Sequence, residues 1–245
     1  MTLDLSSLGW DGYFCSSYRR HDRPDQEPAR VARVERGVCA VLAAAGPTRV
    51  SVGGALLAAS VSDPVRFPAP GDWVVLRSWA DGRSTVEAVL PRRSAIVGPG
   101  GQPLAANVDT AAVVVAAEPR PDEAGIERLL ALARQSGAPP VLLLTKVDLA
   151  PRSTVRAVAR MARNVPMYGL CAPRGTGLSP VRDLVGTGRT LGLVGDAGSG
   201  KSTLVNALVG ATVMTRGALV PLAGGGLVID TPGLPAVSAS IALLR

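Results

Sequence analysis

Thr190-Leu-Gly-Leu-Val-Gly-Asp-Ala-Gly-Ser-Gly-Lys-Ser-Thr-Leu-Val-Asn-Ala-Leu-Val209 is the stretch that decides the fold. Thr190 to Val194 reads as a buried strand, and Thr203 to Val209 as a helix. Between them, Gly195 to Ser202 fits the pattern Gly-x4-Gly-Lys-Ser/Thr, a phosphate-binding loop in its required strand–loop–helix setting. Gly195, Gly198 and Gly200 let backbone N–H groups turn inward around phosphate oxygens. The helix that follows aims its positive end at the same anion. Gly195, Asp196, Ala197, Gly198, Ser199, Gly200, Lys201, Ser202 and Thr203 are therefore the expected phosphate-side contacts. Lys201 is assigned to the β- and γ-phosphates, and the Ser202 hydroxyl to Mg²⁺.

Upstream lies Thr145-Lys-Val-Asp148, at the carboxyl end of the apolar run Val141-Leu-Leu-Leu144. Open α/β sheets bind ligands at that end. The Asp148 carboxylate can accept from N1–H and the exocyclic amine of guanine, a donor pair that adenine lacks. Thr145, Lys146, Val147 and Asp148 are thus the candidate base readers. Cys171 and Ala172, after Val165-Pro-Met-Tyr-Gly169, are candidates for the edge of the base. Of the 26 basic residues only Lys146 and Lys201 are lysine, and each stands in one of these two motifs. A lysine is a compact point charge where arginine is a broad fork, so a narrow phosphate cradle accepts only the first.

Downstream, Leu227-Val-Ile-Asp230 is a short strand opening into Asp230-Thr-Pro-Gly233. Asp230 is a candidate magnesium partner, and the Gly233 N–H a candidate γ-phosphate sensor. With Lys201, Gly233 is the candidate catalytic group. The order is unusual. A Ras-like domain runs phosphate loop, DxxG, guanine motif; here the guanine motif comes first. New termini are tolerated at surface loops, so the order describes a circularly permuted Ras-like P-loop GTPase domain.

Leu8-Gly-Trp-Asp11, the segment Val86 to Ala95 (VEAVLPRRSA), Leu104 to Thr110 (LAANVDT), Leu142 to Pro151 and Leu219 to Gly233 follow one another in an order that resembles the ribosome small-subunit-dependent GTPase A family (RsgA, also called YjeQ). The resemblance implies an N-terminal OB-fold, a permuted GTPase domain, a C-terminal zinc domain and a role in late maturation of the small ribosomal subunit. Its implied partners are that subunit and its rRNA. Two departures stand out. After Gly233 come twelve residues (234–245) without Cys or His, and Cys15, Cys39, Cys171 and His21 have no zinc spacing, so no zinc is expected in this chain. The family's Gly-His-Thr-Thr-Thr switch is also reduced, to Gly210-Ala-Thr-Val-Met-Thr-Arg216. Thr215 is either a remnant that still reaches magnesium or a polar loop residue, and the sequence favours the loop residue.

The rest of the chain is read from periodicity. Residues 1–27 are polar and irregular and read as an arm. Short runs at Arg30 to Val41, Thr48 to Ala58, Gly71 to Ser78 and Ser84 to Leu90 suggest strands of a small barrel, which the family resemblance makes an OB-fold spanning 28–95. The GTPase domain is expected over 96–245. Trp73, Trp79 and the arginines at 33, 36, 49, 77, 92 and 93 are candidate nucleic-acid contacts on the barrel, with core tryptophans and solvated arginines as the alternative. Ala111 to Ala117 reads as a strand and Gly125 to Ser136 as a helix burying Ile126, Leu129, Leu130 and Ala133. A helix capped by Ser153 and running to Asn164 would bury Val155, Val158 and Ala162 and turn Arg156, Arg160 and Arg163 outward. The net charge of +7 suits an anionic partner. No apolar run approaches the ~20 residues of a membrane span, and unpaired cysteines suit the cytoplasm. The expectation is a monomeric, cytoplasmic GTPase using GTP and Mg²⁺. The alternatives are a degenerate guanine-nucleotide and RNA binder with negligible turnover, and a truncated copy without function.

Overall fold

The computed structural model describes residues 3–162, 164–213 and 215–234, and two kinds of sequence periodicity give it two kinds of sheet. Where short runs rich in Val and Ala lie between turns, five strands form: β1 (Gln26–Glu35), β2 (Val38–Ala43), β3 (Gly46–Val52), β4 (Trp73–Ser78) and β5 (Ser84–Val89). They pair in the order β1-β2-β3-β5-β4, and β4 pairs back onto β1. Closure removes the exposed edges. Along β2, Cys39, Val41 and Ala43 point inward, and the barrel interior is filled by such small side chains with Val31, Val74 and Leu76.

The expectation of an irregular arm is corrected. Asp4 caps a 3₁₀ turn over Leu5–Leu8, and Asp11 caps α1 (Gly12–Tyr18) by accepting from the Tyr13 and Phe14 N–H groups. Trp10, Phe14 and Tyr18 recur at helical spacing, and the charges around them mask the stripe. Phe14 is buried, Trp10 meets Trp73 edge-on at 4.7 Å between ring centroids, and β1 already begins at Gln26.

Two expectations for the barrel also need correction. The run Arg30 to Val41 is a hairpin rather than one strand, turning at Arg36 and Gly37, both at positive φ (47° and 79°). The run from Thr48 ends as a strand at Val52, and α2 (Gly54–Ser62) follows directly. Ala55 to Ala59 are strong helix formers, which outweighs the β-branched residues before them.

Beyond a hairpin of β6 (Ala95–Val97) and β7 (Pro103–Ala106), strands alternate with helices. The elements are β8 (Thr110–Ala116), α3 (Glu123–Gln135), β9 (Pro140–Thr145), α4 (Arg152–Met161), β10 (Met167–Gly169), α5 (Leu178–Leu184), β11 (Thr190–Val194), α6 (Lys201–Val209), β12 (Ala218–Pro221) and β13 (Leu227–Asp230). The sheet order is β10-β9-β8-β11-β13-β12, and only β12 runs antiparallel to its neighbour. β11 lies between β8 and β13, so the loops after β9, β11 and β13 leave one end of the sheet together. α3 buries Ile126, Leu129, Leu130 and Ala133, the face that its spacing predicts. α4 starts earlier than expected: Pro151, not Ser153, stands at its N-cap without a side-chain bond. Proline brings a suitable φ and no N–H to satisfy. Val158 and Ala162 are buried, Val155 is half-buried, Arg156 and Arg160 are exposed, and Arg163 lies outside the described residues.

Barrel and parallel sheet are joined. Ala218 of β12 pairs with Arg33 of β1. Nearby, the fully buried Arg30 guanidinium donates to the Leu8 carbonyl, to the Gly71 and Asn107 carbonyls at 3.2 Å each, and to Thr190 Oγ1 at 2.8 Å. Burial pulls its pKa down to about 10, which leaves it charged at neutral pH. No helix of the described residues is long and apolar enough to cross a membrane.

Candidate guanine-nucleotide site

The loop between β11 and α6 has the backbone its glycines predict. Gly198 and Gly200 adopt φ of +78° and +95°, and a β-carbon on Gly195 would collide with the Val114 carbonyl of β8. Lys201 is 6% exposed. Its ammonium donates to the Gly195 and Asp196 carbonyls at 2.8 and 2.9 Å and to Ser199 Oγ at 3.4 Å. Burial lowers its pKa, Asp230 and Asp196 oppose that shift, and Arg216 adds to it. Ser202 and Thr203, on the first turn of α6, are exposed.

The guanine motif sits beside this loop. Thr145, buried at the end of β9, donates through Oγ1 to the Ser199 carbonyl at 2.6 Å. Lys146 takes a positive φ of 56°, and its ammonium reaches the Glu118 carbonyl at 3.5 Å. The Val147 N–H faces the Leu170 carbonyl at 3.5 Å, which brings the loop after β10 alongside. Cys171 and Ala172 are buried in that loop. Arg174, at the end of its 3₁₀ turn, lies 3.8 Å from the Asp148 carboxylate. The two candidate base segments are therefore neighbours in space.

Asp230 is the convergence point on the other side. It is 1% exposed, and its Oδ2 accepts from Ser202 Oγ and from Thr215 Oγ1, each at 2.7 Å. Its Oδ1 is buried without a partner. Thr215 is 2% exposed, and the Gly217 N–H donates to the Asp230 carbonyl at 2.6 Å. Thr215 is thus a loop residue whose side chain is buried on Asp230. Spacing alone does not reveal that Thr215 lies on Asp230. Three oxygen-bearing side chains with one buried carboxylate oxygen to spare fit a hard, oxygen-seeking divalent cation. Gly233 lies against the phosphate loop, where a β-carbon would come within 2.8 Å of the Ala197 Cα. The Leu234 N–H donates to the Gly195 carbonyl at 3.1 Å.

One contact escapes sequence reading. Arg128 of α3 donates to Asp196 Oδ1 at 2.8 Å, at the rim of a cleft of about 440 Å³ that Arg120, Lys146 and residues 196–199 also line. The unusual carboxylate in the phosphate loop was the available signal. Among the described residues, no three of His, Cys, Asp and Glu converge as a metal cluster would.

The candidate nucleic-acid face divides. Trp73 is wholly buried. Arg92 is held by Asp72, Arg93 by Asp11 and Arg33 by Glu35. Trp79 is 41% exposed with the Arg77 guanidinium 4.1 Å over its ring, although Arg77 is itself paired with Asp25 at 2.9 Å, and Arg36 and Arg49 are exposed.

Comparison with known proteins bears on this geometry. Residues 89–219 match the model of the RsgA GTPase family. A protein from Streptomyces coelicolor named small ribosomal subunit biogenesis GTPase RsgA is 39% identical, over 95% of this chain and 69% of its own length. One of the same name from Opitutus terrae is 38% identical, over 95% and 72%. Among solved structures, YjeQ from Thermotoga maritima superposes with a TM-score of 0.66 at 24% identity, covering 86% of this chain and 76% of its own. YloQ, described as a circularly permuted GTPase, gives 0.61 at 20% identity, over 89% and 75%. These two structures share the barrel and the permuted sheet.

Proposed function

The chain belongs to the RsgA GTPase family, and from that premise we propose that it hydrolyses GTP to GDP and phosphate during late maturation of the small ribosomal subunit. The observation that carries this reading is the 2.6 Å bond from Thr145 Oγ1 to the Ser199 carbonyl. It fastens the base-reading loop to the phosphate loop although the two lie far apart in the chain, so base and phosphates of one nucleotide fall within one site.

In this reading Asp148 accepts from the guanine N1–H and amine, with Lys146, Cys171 and Ala172 bounding the base. The N–H groups of 196–203 surround the phosphates. Lys201 leaves the Gly195 and Asp196 carbonyls for the β- and γ-phosphates, exchanging neutral acceptors for charged ones. Ser202, Asp230 and Thr215 would hold Mg²⁺, which when bound neutralises charge on the phosphate oxygens. Gly233 offers its N–H toward the γ-phosphate. Leu234 is apolar and cannot orient water, so that task falls to other groups, including any the ribosome supplies.

The barrel is read as the rRNA-facing part, through Arg36, Arg49 and the Arg77–Trp79 pair, with the GTPase domain beginning near residue 96. We place the protein in the cytoplasm as a monomer. The competing reading, a nucleotide binder with negligible turnover, is less favoured because the Thr215–Asp230 contact supports a metal-side role for Thr215. A multiple-turnover phosphate-release assay, with GTP or ATP and with or without purified small subunits, tests the proposal. GTP-specific release that rises with subunits is expected. Equal release from ATP, or none from GTP in any mixture, would refute it.

A further inference from the structure

A carboxylate is an awkward neighbour for a triphosphate, yet Asp196 is the second residue of the phosphate loop. Three elements converge on it. Its carbonyl accepts from the Lys201 ammonium at 2.9 Å, its backbone forms a parallel bridge with Leu234, and its carboxylate accepts from Arg128 at 2.8 Å. Both side chains are about one-third exposed, so solvent screens the pair in part. The charge of Asp196 is also felt at the buried Lys201, so it acts where phosphate oxygens must lie.

Resting on the GTPase reading above, we infer that Arg128 is a positioning residue for the triphosphate: it cancels the charge of Asp196 and anchors the phosphate loop to α3 while Lys201 transfers from the loop carbonyls to the nucleotide. Without Arg128, an uncompensated carboxylate would face an anion approaching the same loop. Lys201 would also have a second carboxylate drawing it away from the phosphates. The effect should grow with the charge on the ligand, because the repulsion scales with the product of charges. In this inference Arg128 acts on the nucleotide through Asp196.

The test is a double-mutant cycle on nucleotide affinity, read by fluorescent-nucleotide competition with GTP and GDP at two ionic strengths. Arg128→Gln should weaken GTP about tenfold and GDP less, with the gap narrowing at high salt. Arg128→Lys, which keeps the charge, should hold GTP affinity within about threefold of wild type. The decisive arm is the Asp196→Asn background, where there is no carboxylate to neutralise: there Arg128→Gln should cost less than about twofold. A merely structural arginine would cost the same in both backgrounds and weaken GTP and GDP alike. Either result overturns the inference, as does unchanged GTP affinity in Arg128→Gln. If wild-type protein binds neither nucleotide, the guanine-nucleotide reading itself fails, and that outcome is separate from any outcome of the cycle. Should Arg128→Gln not fold, Arg128→Lys and Arg128→Met compared in the Asp196→Asn background distinguish charge cancellation from a structural role in the same way.

Discussion

Replacing Thr215 by valine changes one hydroxyl for one methyl at nearly constant volume. Thr215 is 2% exposed, so the substitution opens no cavity and brings in no water. It removes one of the two hydrogen bonds to Asp230 Oδ2, the other coming from Ser202. A hydrogen bond to a charged group contributes about 1.5–3 kcal/mol. At 2–4 °C per kcal/mol for a chain of this size, the melting temperature should fall by roughly 3–12 °C. A second effect is expected on turnover. If Thr215 closes on the metal and γ-phosphate, losing that contact should lower the rate of hydrolysis by about 10²–10³. GDP affinity depends on Lys201, Asp148 and the loop N–H groups and should change little. Thr215→Ser keeps the hydroxyl and should keep most of both properties. The assays are calorimetric unfolding without nucleotide and single-turnover hydrolysis of GTP with the protein in saturating excess. A valine variant that melts and turns over like wild type would show that the Thr215–Asp230 bond has neither a structural nor a catalytic role.

Asp148→Asn should weaken GTP by about 2–4 kcal/mol and shift preference to xanthosine nucleotides, and competition binding with unchanged GTP preference would contradict the base assignment. Lys201→Arg should bind triphosphate as poorly as Lys201→Ala, because a guanidinium does not fit where the ammonium reaches two loop carbonyls; isothermal titration that finds wild-type affinity would disprove this. Of the three thiols only Cys15 is exposed, and burial pushes Cys39 up to about 11. A disulfide-exchange reagent at pH 8 should therefore titrate one thiol quickly in the native protein and three after denaturation. Arg30→Met should destabilise the fold by about 3–5 kcal/mol, since four oxygen acceptors lose their buried donor, and an unaltered denaturation midpoint would show that those acceptors find other donors.

The parallel half of the fold was legible because its signals are local. β11 ends where its apolar run ends, α3 buries the four residues its spacing selects, and the motif order dictates the strand order. The barrel was legible only in outline. A two-residue turn at Arg36 and Gly37 or a change from strand to helix at Gly53 leaves little trace in hydropathy. The N-terminal helix was hidden because Trp10, Phe14 and Tyr18 are an amphipathic stripe set among charges, and their partner Trp73 lies far along the chain. In the candidate site, the loops that carry the motifs could be placed at the strand ends from sequence, while the roles of their residues stay proposals. The Asp230 cluster could not be placed in this way, since it depends on how a shortened loop folds back, and the Arg128–Asp196 contact joins residues 68 positions apart.

The strand pairing between Ala218 and Arg33 leaves the stretch from Thr215 to Ala218 with almost no slack. Thr215 is fixed to Asp230 on one side, and three residues later Ala218 is stitched into the barrel. Three residues span at most about 10 Å, and the Ala218 N–H is itself bonded back to the Thr215 carbonyl at 3.0 Å. A stretch tethered this closely cannot swing as a free loop does. If Thr215 advances or withdraws with the γ-phosphate, the displacement is delivered to the first barrel strand, at the residue before Val34. The nucleotide would then be sensed on the barrel surface as a small shift of a stiff strand, with little lag, rather than as the folding and unfolding of a segment.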